Sequence, residues 1–166
     1  MCNACKSISS PGTDADAEAE AFAEHLMGTL NSAMLGLMIS VGHRTRLFDV
    51  MAGLDWVTST ELAEAAGQNE RYVREWLGSM ATGHIVDVDG TDELERFRLP
   101  KAHAAVLGRD GESMATVFQW IGVLAEAETG VVDAFARGGG VPYEAYSRFH
   151  EVMAEESNLS VVSGLH

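Results

Sequence analysis

The chain has 166 residues, 46% of them hydrophobic, and sets 25 acidic side chains against 11 basic ones for a formal net charge of −14. That is enough mass for one domain with its own core, and the sign of the charge argues against nucleic acid as a partner, because phosphates repel carboxylates. No apolar run approaches the ~20 residues of a membrane span, and the first fifteen residues lack the apolar centre of a signal peptide, so the cytoplasm is the expected location.

In chain order, residues 1–16 read as a flexible tail. Its Cys2 and Cys5 form a C-x-x-C with no second ligand pair downstream, so no metal site is expected. From Ala17 to about Ser40 the positions Phe22, Leu26, Leu30, Met34, Leu37 and Met38 recur every three or four residues, a helical period. Nearly everything from Ala33 to Val41 is apolar or small, which predicts burial on most sides, against a second copy of the chain. Gly42 is expected to bend or break this helix. A short helix carrying Leu47, Phe48, Val50 and Met51 should end at Gly53.

Thr58-Ser59-Thr60-Glu61 has the form of a capping box, with Gly67 suited to the position after the helix and Asn69 to capping the next one. That second helix is predicted to run to Thr82 with Tyr72, Val73, Trp76, Leu77 and Met80 on its apolar stripe. Strands are expected at Ile85–Val88 and Phe97–Leu99, joined through Asp89-Gly90 and closed by Pro100. This is the order of a winged helix-turn-helix with a two-stranded wing. A short helix over Lys101–Leu107 follows. A long helix is then expected from Met114 to Phe135, then a break at Gly138–Gly140. Pro142 opens a final helix with Tyr143, Tyr146, Phe149, Val152 and Met153 on one stripe. The predicted fold class is mainly α, a winged helix-turn-helix with a small β-wing and flanking dimerisation helices.

Little of this carries chemistry of its own. Between Thr58 and Gly83 four carboxylates accompany two guanidinium groups, Arg71 and Arg74. A recognition helix needs a basic surround, so the motif reads as a scaffold. Arg96, Arg98 and Lys101 near the wing read as a solvated face. The six histidines show no ligand spacing, and no catalytic residue is assigned. The stripe from Tyr143 to Met153 is either core-facing or, following three glycines and a proline, the mobile approach to a pocket.

Three runs carry a resemblance: LGLMISVGHRTRLFDVMAGL (Leu35 to Leu54), TSTELAEAAGQNERYVREWLGSMATGHIV (Thr58 to Val86) and GGGVPYEAYSRFHEVMAEES (Gly138 to Ser157). Together they resemble the N-terminal winged-helix and dimerisation region of bacterial S-adenosylmethionine-dependent methyltransferases of the O-methyltransferase-like class. The resemblance implies a homodimer and a winged helix kept as a scaffold. It implies a domain over residues 17–137, and a linker helix over 138–166 leading to a catalytic methyltransferase domain absent from this sequence. It further implies that Tyr143, Tyr146, Phe149 and Met153 face the methyl donor or a small-molecule acceptor. Phe149 and Met153 stand where that family carries a Phe-x-x-x-Met pair. No glycine-rich loop follows a strand in this sequence, so S-adenosylmethionine is expected only in a complete enzyme and not on this chain alone. The alternative reading is a free-standing winged-helix transcriptional regulator that binds DNA or a small ligand.

Overall fold

A computed structural model describes residues 14–90, 94–109 and 113–163, with side chains described as far as residue 158. The chain divides into two units after Ser32. Helix α1 (Asp14–Arg44) runs through both, opening with Asp14 and Asp16 in its first turn, where carboxylates meet the positive end of the helix dipole. The expected tail, with Cys2 and Cys5, lies outside the described residues as far as residue 13. In the first unit α1 leaves Phe22, Leu26, Met27 and Leu30 exposed.

In the second unit α1 buries Gly36, Ile39, Ser40, Gly42 and His43, while Met34, Leu37 and Val41 stay exposed. Burial within the unit is therefore one-sided. Gly42 does not break the helix, contrary to the sequence expectation. It is a packing glycine: a Cβ there would lie 2.5 Å from Trp76 Cζ2 and 2.7 Å from Phe48 Cε2. The chain turns instead at Arg46, which adopts a left-handed conformation (φ 61°).

Helices α2 (Leu47–Ala52), α3 (Ser59–Ala66) and α4 (Glu70–Thr82) follow as the local signals dictate. The capping box is complete. The Glu61 amide donates to Thr58 Oγ1 at 3.2 Å, and the Thr58 amide donates to Glu61 Oε2 at 2.8 Å. Gly67 takes φ 63° after α3, and Asn69 Oδ1 accepts from the Arg71 amide at the start of α4. The core gathers around Trp76, which meets Phe48 edge-on at 5.1 Å and donates from Nε1 to the Met38 carbonyl at 2.9 Å. Leu62, Leu77, Met80, Met51 and Phe97 complete its centre.

The wing consists of β1 (Asp87–Asp89) and β2 (Arg96–Arg98), antiparallel, with Val88 opposite Phe97. Pairing starts later than the sequence suggests, because the Ile85 and Val86 amides return to the Met80 carbonyl and close the end of α4. Val57 adds an isolated bridge that the sequence reading missed, exchanging both backbone hydrogen bonds with Phe97 at 2.9 and 2.7 Å. Helix α5 (Lys101–Leu107) occupies the expected span.

The single helix expected from Met114 to Phe135 is three pieces. These are a 3₁₀ turn at Met114–Thr116, helix α6 (Gln119–Ala125) and helix α7 (Glu128–Arg137). Ala127, buried at ψ −2°, turns the chain between the last two. The final helix is also interrupted. Pro142 precedes a 3₁₀ turn at Tyr143–Ala145, Tyr146 leaves helical geometry (φ −108°, ψ 86°), and α8 (Phe149–Ser163) starts afterwards. The interruption has a polar cause: both the amide and the hydroxyl of Ser147 donate to the Glu126 carboxylate. Among the described residues no helix is long and apolar enough to cross a membrane.

Candidate functional site

The four residues singled out in the sequence fall at the junction of α6, the 3₁₀ turn and α8. Phe149 is the hub. Its ring centroid lies 5.3 Å from Tyr143, 5.9 Å from Tyr146 and 5.1 Å from Trp120, all edge-to-face. That is the preferred geometry for aromatic quadrupoles. Tyr143 is 65% exposed, Tyr146, Phe149 and Trp120 are partly buried and Val152 is fully buried, so the stripe lies at the edge of the core. Met153 stands one helical turn beyond Phe149 and is also exposed.

Beside the cluster an open groove of about 430 Å³ is lined by Val131, Ala134, Phe135, Gly140, Val141 and Tyr146. Of the four residues, only Tyr146 lines it. Phe135 is 90% exposed on the groove wall, and no residue of α7 is buried. The glycine run has a structural role here. Gly138, Gly139 and Gly140 all take positive φ, between 72° and 94°, conformations that L side chains resist. They return the chain so that Val141 packs within 3.3 Å of where a Gly130 Cβ would stand.

Two contributors escaped sequence reasoning. Trp120 is recruited from α6, and its Nε1 donates to Glu156 Oε2 at 3.1 Å. His150 meets Phe149 edge-on at 5.7 Å. Trp120 lies 29 positions before Phe149, and no periodicity links the two.

Behind the cluster lies a polar network. Glu155 on α8 accepts from His43 Nε2 at 2.7 Å and from Gln119 Nε2 at 2.8 Å, and Arg109 Nη1 stands 3.8 Å away. Gln119 Oε1 accepts from Arg148 Nη2 at 2.7 Å. Arg109 is fixed by donating to the His43 carbonyl and from its amide to Asp49. Partial burial pushes the Glu155 carboxyl up, but the hydrogen bonds from Gln119 and His43 and the attraction of His43 and Arg109 outweigh it, so the net shift is downward. The Glu126 carboxyl is also lowered, by the hydroxyl and then the amide of Ser147.

Two basic side chains of the winged helix face acids. Arg74 faces Glu70 at 3.6 Å, and Arg98 pairs with Asp87 at 2.7 Å while its guanidinium covers the Trp56 ring at 4.5 Å. S-adenosylmethionine finds no cradle of the usual kind among the described residues. The two strands are antiparallel and three residues each, and Gly138–Gly140 follow helix α7. A strand, glycine turn and helix in succession, which would bring backbone amides to such a ligand, is not built here.

Comparison with known proteins agrees with this architecture. Residues 33–109 match the family model of the Rv2258c-like winged HTH domain. No curated protein matches. Among solved structures, the chain is similar to human N-acetylserotonin methyltransferase in complex with SAM, at 13% identity and a TM-score of 0.63 over 84% of this chain and 39% of that one. It is similar also to N,N-8-amino-8-demethyl-D-riboflavin dimethyltransferase (RosA) from Streptomyces davawensis, at 20% identity and a TM-score of 0.62 over 86% of this chain and 45% of that one. The chain thus spans less than half the length of either, and at these identities the likeness is one of fold.

Proposed function

With residues 33–109 identified as an Rv2258c-like winged helix-turn-helix domain, we propose that this chain is the N-terminal scaffold, dimerisation and acceptor-pocket part of an S-adenosylmethionine-dependent small-molecule methyltransferase. Residues 17–137 form the dimerising winged-helix region, and 138–166 the link to a catalytic domain that holds the donor. Tyr143, Tyr146, Phe149 and Met153 face the acceptor. The chain is not catalytic alone, and its contribution is to restrict the acceptor's orientation, which lowers the entropic cost of reaction. The cytoplasm is the proposed location.

One observation carries this reading. The likeness to two methyltransferase structures covers 84% and 86% of this chain, more than the winged-helix match at residues 33–109 alone. A DNA reader needs its recognition helix and wing free, whereas here Arg74 and Arg98 are paired with acids.

Two titrations test it. In calorimetry the chain should show no micromolar binding of S-adenosylmethionine; a saturable micromolar isotherm would place the donor site here and overturn the division of labour. Flat aromatic compounds should perturb the Tyr146 and Phe149 ring resonances selectively. Perturbation confined to other residues would remove the acceptor assignment.

A further inference from the structure

We propose that His43 and Glu155 are positioning residues, a polar clasp that sets the rotation and register of α8 and thereby the direction in which Phe149 and Met153 face. The inference rests on the acceptor-pocket reading of those two side chains and adds the means by which they are held.

Apolar packing alone does not set the rotation of α8. Among its residues with described side chains, Val152 alone is buried. Phe149 adds edge contacts at the first turn, and beyond it Val152 is the one buried apolar contact among the described side chains, too little to fix the roll of the helix. The polar contacts fix it. Arg148 and Glu155 are seven residues apart, which puts them on one helical face, and the Val152 amide already bonds to the Arg148 carbonyl. Gln119, itself 1% exposed, grips both: its Oε1 accepts from Arg148 and its Nε2 donates to Glu155. Glu156 adds the contact from Trp120. Rolling α8 by one residue, or 100°, would break every one of these bonds. Phe149 and Met153 follow Arg148 and Val152 by one position each, so holding the inner face fixes the direction of both.

His43 anchors the clasp in the winged-helix core. Its side chain is 1% exposed and its Nδ1 is buried without a hydrogen-bond partner, so Nε2 is the ring's one polar tie. Facing a carboxylate, Nε2 is the donor. Such networks specify one arrangement, because a half-satisfied buried network costs more than an apolar contact. The charged or titratable groups facing Glu155 are His43 from α1 and Arg109 beyond α5; Arg148, Glu151 and Glu156 lie on or beside α8 itself.

Hydrogen exchange on the whole chain tests this, read at residues 152–158 and, as the internal control, in α3 and α4. In Glu155→Ala and His43→Leu, exchange over 152–158 should accelerate by about tenfold or more, with α3 and α4 unchanged. His43→Gln keeps a donor near Nε2 and should restore protection. The nuclear Overhauser contact between the Trp120 and Phe149 rings should vanish in the first two variants and persist in the third. In the wild type, protection over 152–158 should fall as pH drops below 4.5, a step that Glu155→Gln should lack. Unchanged α8 protection in both disruptive variants would overturn the clasp. So would equal loss in α3 and α4, since the residues would then support the whole domain instead of placing α8. The exchange measurement reads no ligand, so a failed aromatic titration counts against the proposed function alone.

Discussion

Gly42 determines how closely α1 can approach the helix-turn-helix. With Trp76 Cζ2 only 2.5 Å from where a Cβ would stand, and with Trp76 tied to Met38 through its indole N–H, neither partner can yield cheaply. Gly42→Ala is therefore expected to lower stability by about 1–3 kcal/mol through overpacking, seen as a reduced urea midpoint at unchanged slope. Gly28, on the same helix, meets nothing within 4 Å. Gly28→Ala should do the opposite and raise helicity by circular dichroism, since alanine is the better helix former by up to about 1 kcal/mol. If both variants behaved alike, packing against Trp76 would not be what selects glycine at position 42. Thr58 works through local geometry. Its hydroxyl satisfies the Glu61 amide, and Thr58→Ala should cost about 0.5–2 kcal/mol in the same denaturation assay.

Elements differ in how far local chemistry specifies them. The caps of α3 and α4 and the span of α5 were legible because the groups that define them sit within a few residues of one another. The turns that divide residues 114–137 were not, because one apolar period runs through α6 and α7 whether or not the axis bends between them. The interruption before α8 was illegible for another reason: its cause, Glu126 holding Ser147, joins positions 21 apart. The same limit hid the candidate site's support. The stripe from Tyr143 to Met153 could be read from its spacing, and the choice of Tyr143, Tyr146, Phe149 and Met153 within it rested on the family resemblance, but Trp120 and the contact between His43 and Glu155, 112 positions apart, follow no period. The Glu126 contact yields its own prediction. Ser147 holds the Glu126 carboxyl below its ordinary value of 4.5, so the contact stabilises the fold above that value and the contribution is lost as pH falls through the lowered one. In Ser147→Ala the carboxyl, followed by NMR, should titrate back toward 4.5. An unmoved titration would show that the Ser147 hydroxyl is not the main cause.

At the scale of the whole molecule, two surfaces distinguish a methyltransferase scaffold from a regulator. On the first unit's part of α1 the exposed side chains Phe22, Leu26 and Leu30 recur every four residues, and on the second unit's part Met34, Leu37 and Val41 recur every three or four, each an apolar row of the kind that pairs helices. If two copies meet there, as proposed, Leu30→Glu should shift sedimentation from dimer to monomer while leaving the unfolding of the winged helix within about 0.5 kcal/mol, because Leu30 contributes nothing to that core. The second surface is the helix-turn-helix itself. Binding to DNA is driven chiefly by cations that displace phosphate counterions, and here 25 acids outnumber 11 bases. Two of the candidate contacts are already committed, Arg74 to Glu70 and Arg98 to Asp87. Each would have to exchange an intramolecular carboxylate for a phosphate, with little net gain and a repulsive field around it. No retarded band is therefore expected in a gel-shift with the upstream region of the chain's own gene, at up to roughly ten micromolar protein and physiological salt, where ordinary non-specific binders already associate. Lowering the salt should not rescue binding, because weaker screening strengthens the repulsion from the acidic surface along with the attraction of the few arginines. A sequence-specific complex that weakens steeply with salt would reverse the argument and make this winged helix a reader of DNA.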